Sequence, residues 1–412
     1  MNENKKRPLG LKSSSQKKPK LDEKSLKNDE NALEMEFDEN LSSSQQLKFL
    51  YKEAKSQLNK DLFNGCVHEA DAILRKSVEE KTELPSYFHY YYGKALKWVA
   101  KLEERVEPEQ QPVSKAVSRL KNDTSNSENK KNSFDHQGFF ETSFERFEIG
   151  LEVQKKNLKE KISEEENIEI CKFYKELGLI KFEMLDLLDF NLAFKEKNEK
   201  LVFKSKSLIS EGLKYLSLIK KKKEKFWLKI LHFLEKFLVD MEFNFELNEM
   251  IFDFLEQKYE LLLKENENSP DLLLGLSNIN LGFGLSLVDE TDINEKGVDI
   301  PECRKYFIKC LEGCKYYEKL LAEENKTSIP LLLTMGECLL NLGVLCEMEG
   351  EEEDDEDDED ENVPPSSTSF YERAIECFNK VKAENAESLP QKFIDFVEDF
   401  ENQKLELLKE EN

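Results

Sequence analysis

Cys303, Cys310 and Cys314 stand at i, i+7 and i+11, so a helix would carry all three on one face with Phe307 and Leu311. Three soft ligands invite a zinc reading. That metal, however, wants two close pairs or a histidine nearby, and the spacing gives neither. Thiols buried in an apolar core are the expectation. His68, Asp71 and Arg75 share another helical face. There Asp71 and Arg75 at i, i+4 make a helix-stabilising ion pair that His68 can join, and nothing beside them supports a general base. The four histidines, His68, His89, His136 and His232, have no ligand-spaced partners. Gly275, Gly282 and Gly284 sit among leucines inside a helical pattern, not in a phosphate-binding loop. There is no G-x-S-x-G elbow and no H-x-x-x-H pair. The expectation is a protein with no catalytic, cofactor or metal residues, so not an enzyme.

The remaining candidates are surfaces. Lys220–Lys223 with Lys225 reads as a solvated helix end or turn rather than a phosphate contact. Tyr90, Tyr91 and Tyr92, with Phe88 and Trp98, either line a peptide groove or pack between helices. At the amino end, Lys5, Lys6 and Arg7 form one basic cluster and Lys17, Lys18 and Lys20 a second. Residues 1–20 carry seven Lys or Arg and one Glu, which is +6, against −31 for the rest of a chain with net charge −25. Two short clusters about ten residues apart suit the acidic pockets of a nuclear import receptor; an RNA-binding arm is the alternative. Near the other end, eleven consecutive acidic residues run from Glu351 through Asp355 and Asp358 to Glu361, followed by Pro364-Pro365. Like charges repel and prolines stop a helix, so this reads as a mobile acidic loop.

Positioning these features requires helices. Leu, Lys, Glu and Phe dominate, against 15 Gly and 11 Pro. Phe63, Val67, Ala70 and Leu74 form one helical stripe, Phe88, Tyr92, Leu96 and Val99 a second, and Tyr371, Ala374, Phe378 and Val381 a third. Helical periods recur over 138–156, 167–190, 201–220, 225–264, 270–289, 303–324, 329–348, 369–383 and 390–409. Ser269-Pro270-Asp271 starts one helix and Ser369 with Glu372 has capping-box spacing for another. Tyr92-Gly93, Leu177-Gly178, Leu281-Gly282 and Leu342-Gly343 each put a glycine where a neighbouring helix can come close. A large residue then Gly in one helix, with Ala and Phe four apart in the next, is the tetratricopeptide pattern. Here its spacing is irregular and its Trp and terminal Pro are missing. The expected fold is all-α: degenerate tetratricopeptide-like helical hairpins stacked as a right-handed solenoid. Residues 1–45 are expected as a disordered basic tail, and 46–412 as a helical-repeat domain with disordered insertions at 106–135 and 349–368.

Bulk properties narrow the partners. Strong negative charge disfavours nucleic acid as a direct ligand and favours basic proteins. No run of about 18 apolar residues is present, so no membrane span is expected. The basic start lacks the apolar stretch of a secretory signal. The eight cysteines fall within apolar helical patterns, which suits reduced thiols in nucleus or cytosol.

Two segments carry a resemblance. Lys6-Arg7-Pro8-Leu9-Gly10-Leu11, and the helix Asn64-Gly65-Cys66-Val67-His68-Glu69-Ala70-Asp71-Ala72-Ile73-Leu74-Arg75, resemble the fungal enhancer of translation termination family. The resemblance implies a nuclear, non-enzymatic scaffold or adaptor required for correct translation termination and linked to regulation of gene expression. It also implies protein partners, including an iron- and 2-oxoglutarate-dependent dioxygenase, beside the import receptor that the tail would engage. Asn64, Gly65, Val67, His68, Glu69, Asp71 and Arg75 carry over as motif positions without assigned roles. The alternative is an escort for basic ribosomal or histone proteins that works through the acidic loop.

Overall fold

The computed structural model describes residues 42–104, 135–158, 164–188, 198–219, 223–240, 245–294, 299–323, 326–349 and 366–410. The basic clusters at 5–20, the acidic run Glu351–Glu361 and Lys220–Lys222 lie outside the described residues. Among the described residues there are thirteen α-helices, one short 3-10 turn at Ala386–Ser388 and no strand.

The chain divides into two units, residues 1–189 with 214–220, and residues 190–213 with 221–412. The first contains α1 (Ser43–Gln57), α2 (Lys60–Glu80), α3 (Ser86–Glu104), α4 (His136–Asn157) and α5 (Glu164–Asp186). Local chemistry sets their ends. Gln45 Oε1 accepts from the Ser42 N–H at 2.9 Å as α1 begins. Between α1 and α2 the chain turns through Leu58 at φ 49°, and Asn59 Oδ1 accepts from the N–H groups of Asp61 and Leu62. The expected stripes face inward: Phe63, Val67 and Ala70 on α2, and Phe88, Tyr92, Leu96 and Val99 on α3, are buried. Consecutive helices pair as hairpins, and α1 also packs directly on α3. That contact between next-but-one helices is what tetratricopeptide-like stacking requires. One core joins α1, α2 and α3, and a second joins α3, α4 and α5.

The second unit follows the same rule. It contains α7 (Glu224–Asp240), α8 (Phe245–Glu265), α9 (Pro270–Asn294), α10 (Ile300–Glu323), α11 (Ile329–Glu349), α12 (Ser367–Asn385) and α13 (Gln391–Glu410), while α6 (Glu199–Ser217) is divided between the units. Sequential helices pair, and α7 packs on α9 and α9 on α11. Cys303, Phe307, Cys310, Leu311 and Cys314 lie buried in its core with Cys338, Ala374, Phe378 and Val381. Helices α9 and α11 are long and apolar enough to cross a membrane by length and composition. Here they are half-buried core helices, apolar because they are covered on several sides.

Three local expectations are corrected. The single helix expected over 225–264 is two, α7 and α8. The N-cap of α12 is Ser366, not Ser369: Ser366 Oγ accepts from the Ser369 N–H at 3.3 Å, and Ser367 and Phe370 in the first turn are buried. Among the glycine seams, a Cβ on Gly93 would lie 2.9 Å from the Phe147 ring, and one on Gly343 would overlap Tyr371. A Cβ on Gly282 would meet nothing; the close approaches in α9 are instead at Gly275, against Tyr259, and at Gly284, against Phe307. The apolar–glycine dipeptide predicts a seam only when the glycine faces the neighbouring helix, and a shift of two residues rotates it away.

Candidate docking face and the charged seam beneath it

Helix α3 presents Lys94, Lys97 and Lys101 at i, i+3 and i+7, and α5 presents Glu176 and Glu183 at i, i+7, so each set occupies one helix face. Between them runs a ladder of ions. Lys94 Nζ is 3.1 Å from Glu176 Oε1, and Lys97 Nζ bridges Glu176 Oε2 and Glu183 Oε1 at 3.1 Å each. Lys101 Nζ is 2.6 Å from Glu183 Oε1. Lys97, Glu176 and Glu183 are buried. Burial alone would lower Lys97, but Glu176 and Glu183 outweigh it and hold the ammonium above its usual range. Burial would likewise raise Glu176, yet Lys97 and Lys94 keep it well below the usual carboxylate range. Both stay charged at neutral pH. The ladder ties α3 to α5 through paired charges in a largely buried interface.

Aromatic side chains roof this seam. Between Phe88 and Leu102, the only α3 positions that are not buried are Tyr90, Tyr91, Lys94, Trp98 and Lys101. Tyr90 meets the Phe173 ring edge-on at 5.4 Å, Tyr91 lies 5.4 Å from Tyr51, and Trp98 stacks on Phe63 at 5.5 Å. Lys48 of α1 sits over Tyr91 at 5.9 Å and Lys94 over Tyr90 at 5.5 Å. The two sequence readings of this cluster divide by residue: Phe88 and Tyr92 are core, while Tyr90, Tyr91 and Trp98 keep one edge in solvent.

The α2 motif also divides. Val67 is core, Asn64, Gly65 and Asp71 are half-buried, and His68, Glu69 and Arg75 are exposed. Asp71 accepts a hydrogen bond from the Tyr92 hydroxyl, so it ties α2 to α3, a role that the spacing to Arg75 did not reveal. Arg146 of α4 lies over the same Tyr92 ring at 5.1 Å. Beside it His89 is buried and is held down to about 4, by burial first and the Arg146 charge second.

The remaining candidates do not assemble into a reactive centre. Cys310 lies within bonding reach of both Cys314 and Cys338, in surroundings that raise its thiol well above normal, and Cys338 Sγ is 3.0 Å from the Phe307 carbonyl. The described cysteines are free thiols, and among the described residues no group of His, Cys, Asp or Glu is arranged to hold a metal ion. Lys223 and Lys225 are exposed at the start of α7. The charged seam itself was not anticipated, because lysines on a helix read as solvent-facing. The usable signal was their i, i+3, i+7 spacing on a helix otherwise rich in large apolar residues.

Residues 3–170 match the model of the family described as Nro1, nuclear pore complex subunit. A stretch of 94 residues, 23% of this chain, is 36% identical to Enhancer of translation termination 1 of Candida tropicalis, and spans 19% of that protein's length. The solved structure of the S. pombe nuclear import adaptor Nro1 covers 87% of this chain and 98% of its own at 17% identity, with a TM-score of 0.49. A second Nro1 structure, described as a hypoxic regulator of sterol synthesis and a nuclear import adaptor, covers 87% and 93% at 19% identity, with a TM-score of 0.50. Both segments that carried the resemblance, Lys6–Leu11 and Asn64–Arg75, lie inside the matched residues 3–170, the part of the chain that is similar to the Nro1 family.

Proposed function

We propose that this protein is a non-catalytic nuclear adaptor that acts in accurate translation termination and in the regulation of gene expression. The observation that carries the reading is the stack of hairpins in which Lys97 is locked between Glu176 and Glu183 beneath a surface of aromatic and basic side chains. Stacked helical repeats present extended surfaces suited to binding partners, which supports the adaptor reading. The names of its relatives support the direction of the proposal: an import adaptor on the side of the fold, and a termination factor on the side of sequence. The basic clusters Lys5, Lys6, Arg7 and Lys17, Lys18, Lys20 supply the address that an import receptor reads. An iron- and 2-oxoglutarate-dependent dioxygenase is among the proposed protein partners, as the family resemblance implies.

The test has two arms. A fluorescently tagged copy with those six residues changed to Ala is expected to move to the cytosol and take its bound cargo with it. A nuclear signal equal to wild type counts against the tail as the import element. Separately, deletion of the gene is expected to raise readthrough of a reporter stop codon. Unchanged readthrough removes the termination role and leaves the adaptor reading standing.

A further inference from the structure

We infer that the solvent edge of α3, formed by Tyr91, Lys94, Trp98 and Lys101 with Lys48 of α1 beside it, is the docking groove for an extended acidic segment of a partner protein. This deepens the adaptor reading and rests on it.

The first argument is composition. Between Phe88 and Leu102, the positions that reach solvent are three aromatics and two lysines, with no carboxylate. Solvent-facing helix positions normally hold small or flexible polar residues. Large rings at the surface bring contact area at low entropic cost and are what recognition surfaces use. The second argument is how the charges are layered. Each seam glutamate side chain is 6% exposed, whereas Lys94 is 18% and Lys101 35% exposed. The seam carboxylates form the floor and the ammonium groups the rim; Glu169 of α5 also faces Tyr90 and Tyr91 but is paired with Lys172, so the unbalanced charge at this edge is positive. Lys48, exposed on α1, adds to it from the other side. A net charge of −25 draws basic segments at long range, but at contact a positive groove repels them and selects acidic ones. The third argument is preorganisation. Trp98 is fixed on Phe63 and Lys94 on Glu176, so little side-chain freedom remains to be lost when a peptide lands.

The opposite choice of occupant has its own face. Helix α4 carries Glu141, Glu145, Glu148 and Glu152 at i, i+4, i+7 and i+11, all exposed, and there Glu148 accepts from the Tyr215 hydroxyl at 3.1 Å. Nothing beyond its charge points to a ligand, and it serves as the internal control.

The experiment uses the full chain and a fluorescent library of Asp- and Glu-rich peptides, each with one Phe or Leu, beside the same library with Lys in place of the acids. The acidic library is expected to bind in a salt-sensitive manner. Lys48→Glu is expected to weaken that binding roughly five- to tenfold, with an unchanged melting temperature because Lys48 makes no buried ion pair. Tyr91→Ser is expected to weaken it further, and Glu145→Lys on α4 to leave it unchanged. Preference for the lysine library, or equal acidic binding by Lys48→Glu, overturns the proposal. In cells, Lys48→Glu with Tyr91→Ser should remain nuclear while readthrough rises. A protein that passes the import test but fails the peptide test keeps the adaptor reading and loses this groove. Failure of the import test with peptide binding intact does the reverse.

Discussion

The seam between α3 and α5 and the core around α10, α11 and α12 solve one problem with opposite chemistry. In the first unit two helices are keyed together by five alternating charges from Lys94 to Lys101 and Glu176 to Glu183. In the second, thiols, leucines and phenylalanines fill the interface, and glycines such as Gly343 let a ring lie against the neighbouring backbone. An apolar interface needs matched volume and tolerates substitutions that conserve it. A buried ionic one needs every member, yet it leaves its outer lysines as a charged rim. The docking groove belongs to the unit that uses charge.

The sharpest way to break this contrast is Lys97→Met. It leaves Glu176 with Lys94 alone and Glu183 with Lys101 alone in a buried interface, and the first unit should lose about 2–3 kcal/mol, read as a lower denaturant midpoint by circular dichroism. Adding Glu176→Gln and Glu183→Gln should recover most of the loss. If Lys97→Met costs no more than an exposed substitution, the ladder holds nothing. Acid probes the same unit less severely. His89 is neutral in the fold down to about 4, whereas an unfolded histidine takes up its proton near pH 6.5. Its contribution is therefore complete above about 6.5 and is lost as pH falls towards 4, by about 2–3 kcal/mol. His89→Phe should flatten that limb of a stability–pH curve.

In the second unit the effects are steric. Gly343→Ala pushes a methyl into the Tyr371 ring and should cost about 1–3 kcal/mol. Gly282→Ala, where nothing stands in the way, should stabilise by up to about 1 kcal/mol through helix propensity alone. Equal melting temperatures for these two variants would show that the glycines are interchangeable. The smallest and slowest effect is labelling by a thiol reagent: half-exposed Cys346 should react first, ahead of Cys66, whose burial pushes its thiol up to about 12.

The stripes that build the cores were legible in the sequence. Phe88, Tyr92, Leu96 and Val99 recur at helical spacing and are buried as a set, because periodicity is a local property that the chain carries in every turn. The buried face of the Cys303–Cys314 helix was legible for the same reason. What was not legible needed two distant segments at once. Lys97 meets Glu176 across 79 positions, and neither residue announces that the other will be there. Asp71 looked like the partner of Arg75 on its own helix, but it accepts from Tyr92 on the next. Gly282 has the dipeptide signature of a seam and faces away from one, since the signature is blind to rotation about the helix axis.

The measurement closest to the centre of this account is stop-codon readthrough in cells whose only copy carries the six tail substitutions, with and without an unrelated import signal fused to the chain. Readthrough should rise in the first and return to wild type in the second, because the helical units work by docking once they are in the nucleus. Failure of the fused signal to restore accuracy, with the protein demonstrably nuclear, would contradict it.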